Sequence, residues 1–194
     1  MKKDSCCLVQ CPIVLIRLFF LFFCCFLSSY PAKDYAYSNK QLGDIGRYAI
    51  PLTSASASLL LKDFQGLLQL ALATGVVQGT TEGLKAITNE RRPNGNCCNS
   101  FPSGHASSAF TGAAYIQFRY GLQYSIPLYA AASYVAYSRV QVKAHYIHDV
   151  AFGAALGIAG TYLSTTKYSH SKQGDVALVA DKGFAGIIYR KIFD

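Results

Sequence analysis

Residues 101–120 read FPSGHASSAFTGAAYIQFRY, and this stretch decides the fold that we expect. Pro, Ser and Gly directly before a helical pattern mark the N-terminus of a helix. The helical pattern that follows, residues 105–120, is rich in Ala, Ser and Gly, which let helices approach one another closely. The stretch therefore predicts a closely packed helix whose first turn offers free backbone N–H groups.

Four other segments after the N-terminal region also look helical. They are residues 46–61, 64–91, 122–137 and 149–163. Short loops with Gly separate several of them, as in an antiparallel bundle. We therefore expect an all-α antiparallel helical bundle, with up to six membrane-associated helices if the N-terminal apolar segment is counted.

The composition excludes two classes of protein. Hydrophobic residues make up 52% of the chain and charged residues 14%, whereas a disordered chain needs low hydrophobicity and high charge. The net charge is +8, but Lys and Arg form no run, so a nucleic-acid partner is not expected. The balance is typical of a helical protein at or in a membrane.

The two ends of the chain differ from its middle. Lys2 and Lys3 precede an apolar stretch, residues 8–27, so we assign residues 1–32 to a signal peptide or N-terminal membrane anchor. Either alternative places the helical domain, residues 33–164, on the extracytoplasmic side. In the tail, residues 165–194, two β-prone runs flank Asp-Lys-Gly, which predicts a short hairpin, with a loose tail as the alternative.

Basic residues end the second helical segment. Lys85 and Arg92 are seven positions apart, so on one helix they would share a face. Pro93 biases Arg92 away from helical backbone and is expected to end the helix there. The alternative to an anion site is a basic helix end that complements the helix dipole.

The turn before residue 105 has the residues of an anion site. Ser103 supplies a hydroxyl, Gly104 allows close backbone approach, and His105 lies at the edge. Free N–H groups at a helix N-terminus bind anions. The alternative is a helix cap with a surface histidine.

A third polar stretch supplies a candidate nucleophile. His145 and Asp149 are four positions apart, so on a helix Asp149 could orient one imidazole nitrogen and leave the other free to attack. Asp149 directly follows His148 and is expected to point away from it. Arg139 offers a planar fork suited to phosphate oxygens. The alternative is an ion pair at a helix start.

Together the three stretches resemble the type 2 phosphatidic acid phosphatase superfamily, which includes bacterial acid phosphatases and vanadium haloperoxidases. The pattern is Lys-x6-Arg-Pro, then Pro-Ser-Gly-His, then Ser-Arg-x5-His-x3-Asp. It is carried by Lys85, Arg92, Pro93, Pro102, Ser103, Gly104, His105, Ser138, Arg139, His145 and Asp149.

The resemblance implies a role for each site residue. His145 would be the nucleophile that forms a phosphohistidine, oriented by Asp149. His105 would be the general acid, a role favoured by a pKa near the working pH. The phosphate would be held by Lys85, Arg92, Ser103, Gly104 and Arg139.

The expected function is a metal-independent phosphatase with an extracytoplasmic, periplasmic site. Its substrate would be a phosphate monoester or a lipid (pyro)phosphate. The sequence has no Asp/Glu cluster suited to Mg2+, so no metal and no other cofactor is expected. The alternatives are a vanadium-dependent haloperoxidase and a non-catalytic membrane interaction protein.

Two adjacent cysteines lie between the first two motifs. Cys97 and Cys98 lack the spacing of zinc ligands. We expect either a disulfide between these neighbours or free thiols, dispensable for the chemistry in both cases.

Overall fold

The computed structural model describes the backbone of residues 35–168, apart from Cys97, and of two strands further along the chain. Side chains are described for residues 39–168, again apart from Cys97. The predicted signal peptide or anchor therefore lies outside the described residues, and the domain boundaries stay predictions.

Five helices make up the described helical part of the chain. They are α1 (Tyr35–Leu60), α2 (Phe64–Thr88), α3 (Gly104–Tyr120), α4 (Leu122–Gln141) and α5 (Ile147–Ser164). The predicted helical bundle is confirmed in these residues. None of the described helices combines the length and the apolar character needed to cross a membrane.

Two helix ends differ from the prediction in ways that affect the site. Helix α1 begins at Tyr35 rather than at residue 46, because its first turns are polar and lack the apolar run used to recognise a helix. Helix α2 ends at Thr88 because Asn89 adopts left-handed backbone with φ of 46° and donates its N–H to Lys85 O. Arg92 therefore lies in a loop.

Helix α3 lies at the centre and contacts the other four helices. Its contact with α5 is made through glycines. A Cβ at Gly153 would lie 2.6 Å from the carbonyl oxygen of Ser103, and one at Gly157 would lie 2.6 Å from that of Ser107. Backbone therefore packs on backbone at the first turn of α3, where two of the predicted site residues lie.

The end of α3 farthest from its first turn holds a buried ion pair. Arg119 donates from Nη2 to Oδ1 of Asp63 at 2.6 Å and from Nε to Oδ2 at 2.7 Å. Asp63 also caps α2, since Oδ1 accepts the N–H of Gly66 at 2.8 Å. Arg119 reaches the carbonyl oxygen of Thr166 at 2.8 Å as well. This network ties α2, α3 and the segment after α5 together.

The tail contains two antiparallel strands, β1 (Asp175–Asp181) and β2 (Phe184–Arg190). Asp175 pairs with Arg190 at one end, and Asp181 pairs with Phe184 at the other.

Candidate active site

A cavity of about 380 Å³ lies at the first turn of α3. Its lining is mainly cationic. The basic side chains are Lys40, Arg47, Lys85, Arg92 and Arg139, and the acidic ones are Asp44 and Glu82. Clustered cations in a concave, partly desolvated site favour an anionic ligand.

Six of the eight predicted site residues line this cavity: Lys85, Arg92, Gly104, His105, Arg139 and His145. The other two, Ser103 and Asp149, have no exposed surface and do not line it. Residues from three separate stretches of sequence are thus brought together.

Lys85 and Arg92 reach the cavity from different elements. The expectation that they share one helix face is wrong, because α2 ends before Arg92. Nζ of Lys85 pairs with Glu82 at 2.7 Å and would lie only 3.1 Å from a Cβ on Gly104. Among the described residues, the side chain of Arg92 makes no hydrogen bond or ion pair. Lys85 is therefore placed to contact an anion beside Gly104, and Arg92 lines the same cavity.

Ser103 is the N-cap residue of α3, and its polar groups form hydrogen bonds within the fold. Its Oγ accepts the N–H of Ala106 at 3.4 Å, while its own N–H donates to the carbonyl oxygen of Asp149 at 3.1 Å. The hydroxyl therefore caps the helix, and its backbone joins α3 to the first turn of α5.

His145 precedes α5, so its contact with Asp149 is not the predicted pairing of two residues on one helix. Its Nδ1 donates to the carbonyl oxygen of Ser100 at 2.7 Å, whereas the distance to Oδ2 of Asp149 is 3.6 Å. The hydrogen bond to the carbonyl places the proton on Nδ1 and leaves Nε2 with a free lone pair. Sequence reasoning missed Ser100, because a backbone carbonyl gives no signal in the sequence.

Asp149 lies between two histidines and is fully buried. Its Oδ2 accepts the Ser100 hydroxyl at 2.5 Å and the Tyr146 N–H at 2.9 Å. Its Oδ1 lies 3.0 Å from Nε2 of His148, so the expectation that Asp149 points away from His148 is wrong. The carboxylate folds back over the start of α5, which brings it to both rings.

Burial lowers the pKa of His145 to about 4, and the charges of Arg92 and Lys85 act in the same direction. The hydrogen bond to Ser100 and the charge of Asp149 oppose this shift. His145 is therefore neutral at pH 7, the state in which an imidazole is a nucleophile.

Burial also lowers the pKa of His105 to about 4, with a further contribution from Arg139, while Asp44 opposes the shift. The pKa of His105 is thus not near the working pH, contrary to what the sequence had led us to expect. A bound phosphate would add negative charge beside the ring and raise this pKa.

Helix α1 supplies site residues that sequence reasoning missed. Nη2 of Arg139 donates to the carbonyl oxygens of Asn39 at 3.2 Å and Lys40 at 2.7 Å, and Nη1 pairs with Asp44 at 2.8 Å. This approach requires Gly43, since a Cβ there would overlap the guanidinium. The available signal was polar residues at helical spacing, Lys40, Asp44 and Arg47, before the apolar run.

Cys98 is disulfide-bonded, so the free-thiol alternative is wrong for this residue. Cys97 lies outside the described residues. Dispensability for the chemistry stays a prediction, to be tested by changing both residues to serine.

The chain matches a family model and is similar to several known proteins. The family model described as the PAP2 superfamily matches residues 66–172. The lipid A 4'-phosphatase of Helicobacter pylori is 35% identical over 153 residues, which are 73% of this chain and 77% of that protein. The lipid A 1-phosphatase of Porphyromonas gingivalis is 36% identical over 91 residues, 45% of this chain and 20% of that protein.

The crystal structure of Aquifex aeolicus LpxE has a similar fold. The TM-score is 0.60 at 21% identity, and the match covers 78% of this chain and 93% of that chain. At this identity the likeness concerns the fold.

Proposed function

The chain belongs to the PAP2 superfamily and is a phosphatase of that family, and from this premise we propose that it removes a phosphate group from a lipid without a metal ion. The observation that carries the proposal is the cavity, in which cationic side chains surround two histidines with lowered pKa values. Cations, a neutral nucleophile and a nearby proton donor are the groups that phosphoryl transfer needs.

In the first step, Nε2 of His145 attacks phosphorus and the P–O bond to the lipid breaks. His105, protonated when the phosphate binds, gives its proton to the leaving oxygen. Lys85, Arg92 and Arg139 stabilise the charge on the phosphoryl oxygens.

In the second step, water attacks the phosphohistidine. His105 takes a proton from this water, the P–N bond breaks, and inorganic phosphate leaves. The hydrogen bond that Nδ1 of His145 donates to the Ser100 carbonyl oxygen, with Asp149 3.6 Å from the same nitrogen, keeps the ring in the tautomer that can attack again.

A lipid substrate is supported by the relatives and by the surface. The relatives at 35% and 36% identity are lipid A phosphatases, which makes a lipid A phosphate the first candidate. Large apolar side chains on α1 and α2 face solvent, with Leu52 and Leu72 each 64% exposed. We propose that these side chains contact a bilayer, with the cavity on the extracytoplasmic, periplasmic side.

Phosphate release by the purified protein in detergent tests the proposal. The substrates are lipid A phosphorylated at one position only, phosphatidic acid and p-nitrophenyl phosphate, each with EDTA. We expect the lipids to be preferred, EDTA to have no effect and orthovanadate to inhibit. His145→Ala should abolish turnover, while His148→Ala is the matched histidine control.

Two results would contradict the proposal. One is a loss of activity in EDTA that Mg2+ restores, since the mechanism uses no metal. The other is turnover of the soluble ester alone.

A further inference from the structure

Three side chains of the types that can ligate a metal meet outside the cavity. Glu90, His148 and Asp149 each offer one ligand atom within 4.8 Å of the others. Nε2 of His148 is 3.2 Å from Oε1 of Glu90 and 3.0 Å from Oδ1 of Asp149. Ligand atoms around tetrahedral Zn2+ are separated by about 3.3 Å when the bonds are ~2.0 Å long. The sequence-based statement that no acidic cluster exists missed this group, because Glu90 and Asp149 are far apart along the chain.

One oxygen of the group accepts no hydrogen bond from the residues that the structure describes. Within the described part of the chain, Oδ1 of Asp149 is buried and accepts no hydrogen bond, although His148 is close. Oδ2 of the same carboxylate accepts two hydrogen bonds, from Ser100 and Tyr146. A buried carboxylate oxygen without a donor is costly, and a cation would satisfy it.

We propose that Glu90, His148 and Asp149 form an inhibitory site for Zn2+. An imidazole with two carboxylates suits Zn2+ better than Mg2+, which prefers oxygen ligands alone. The side chains of His148 and Glu90 are 60% and 36% exposed, whereas that of Asp149 is buried. The ion can therefore enter from solvent, bind the buried oxygen and keep water as its fourth ligand.

The site contacts the groups that orient the nucleophile. Asp149 is 3.6 Å from Nδ1 of His145, so Zn2+ on this carboxylate would neutralise charge that stabilises the attacking ring. The backbone of Glu90 also accepts the Ser100 N–H at 2.9 Å, and the Ser100 carbonyl holds Nδ1 of His145 at 2.7 Å. Zn2+ would thus act on both supports of His145. The inhibition rests on the proposed function, but the binding of Zn2+ does not.

Calorimetric titration of the purified full chain with Zn2+ tests binding. Free thiols are first alkylated without reducing agent, so that cysteines do not take up the metal. We expect one Zn2+ per chain, and affinity at least about tenfold weaker in His148→Ala and in Glu90→Gln. His170→Ala, which removes a histidine elsewhere in the sequence, should bind like the wild type. Wild-type affinity in both His148→Ala and Glu90→Gln would overturn the site.

Inhibition is measured as loss of p-nitrophenyl phosphate turnover with rising Zn2+. His148→Ala and Glu90→Gln are expected to keep their activity without metal and to need at least about tenfold more Zn2+ for half inhibition. If one variant fails to fold, the other carries the comparison. Binding without inhibition, or equal inhibition of the wild type and both variants, would overturn the inhibitory role.

Discussion

Oδ1 of Asp44 lies 2.8 Å from Nε2 of His105, which links α1 to the proposed general acid. The same oxygen lies 2.8 Å from Nη1 of Arg139. Although burial raises the pKa of Asp44, the hydrogen bond to His105 and the charge of Arg139 hold it below its usual value. The charged carboxylate favours protonated His105 and thereby offsets part of the effect of burial.

Asp44→Asn should lower kcat by about tenfold or more, because His105 loses the group that favours its protonated form. The pH optimum should also move to lower pH. Steady-state kinetics from pH 4.5 to 8 measure both effects. An unchanged pH profile would mean that Asp44 has only a structural role.

His145→Ala should abolish the phosphoenzyme, whereas His148→Ala should retain it. His145 is 4% exposed and lines the cavity, while the His148 side chain is 60% exposed and does not line it. Rapid quenching with labelled substrate, followed by detection of acid-labile phosphohistidine, measures this. A phosphoenzyme that disappears only in His148→Ala would reverse the assignment.

Asp149→Asn should reduce kcat by about a hundredfold or more, because the amide cannot stabilise positive charge on His145. Ser100→Ala should cost much less, since the backbone carbonyl that holds Nδ1 remains. The two variants therefore separate the carboxylate from the hydroxyl that donates to it. Equal losses in kcat would contradict this ranking.

The free energy of unfolding should fall as the pH is lowered from 6.5 towards 4. The pKa values of His105 and His145 are about 4 in the folded protein, against an ordinary value of 6.5. In this window the unfolded chain binds protons that the folded chain does not, so the folded state loses stability. The effect has an upper bound of about 1.4 kcal/mol per pKa unit for each ring.

Urea denaturation at pH 7.5 and pH 4.5 measures the pH effect. The loss of stability should be smaller in His145→Gln, which removes one of the two titrating rings. If this variant lost as much stability as the wild type between the two pH values, other groups would cause the effect.

Arg119→Met should destabilise the fold by about 3–5 kcal/mol, because it leaves the buried carboxylate of Asp63 without its cation. Arg119 is about 21 Å along α3 from His105, at ~1.5 Å per residue. Activity per folded molecule should therefore be kept at a permissive temperature. Chemical denaturation gives the loss, and Asp63→Asn combined with Arg119→Met should recover part of it.

The sequence predicted the helices best where small apolar residues repeat. Helix α3 starts within one residue of the predicted position, since Ser103 and Gly104 give a clear start signal. The left-handed turn at Asn89 was not predicted, because many residue types can end a helix before a proline. That single turn moved Arg92 from a helix face to a loop.

The candidate site was predicted as a set of residue types but not as a set of contacts. The three motifs identified the six predicted residues that line the cavity. Asp44 was missed because its partners, His105 and Arg139, are distant in sequence and meet it only through packing of α1. The Ser100 contact was missed because its acceptor is a carbonyl that every residue carries.

The glycine contact between α3 and α5 fixes the spacing of these two helices. Helix α3, which carries His105, touches α5 through backbone atoms at Gly153 and Gly157, and α5 begins two residues after His145. Peptide groups in direct contact compress very little. We therefore expect the separation between the proposed nucleophile and the proposed proton donor to change little when substrates of different size bind.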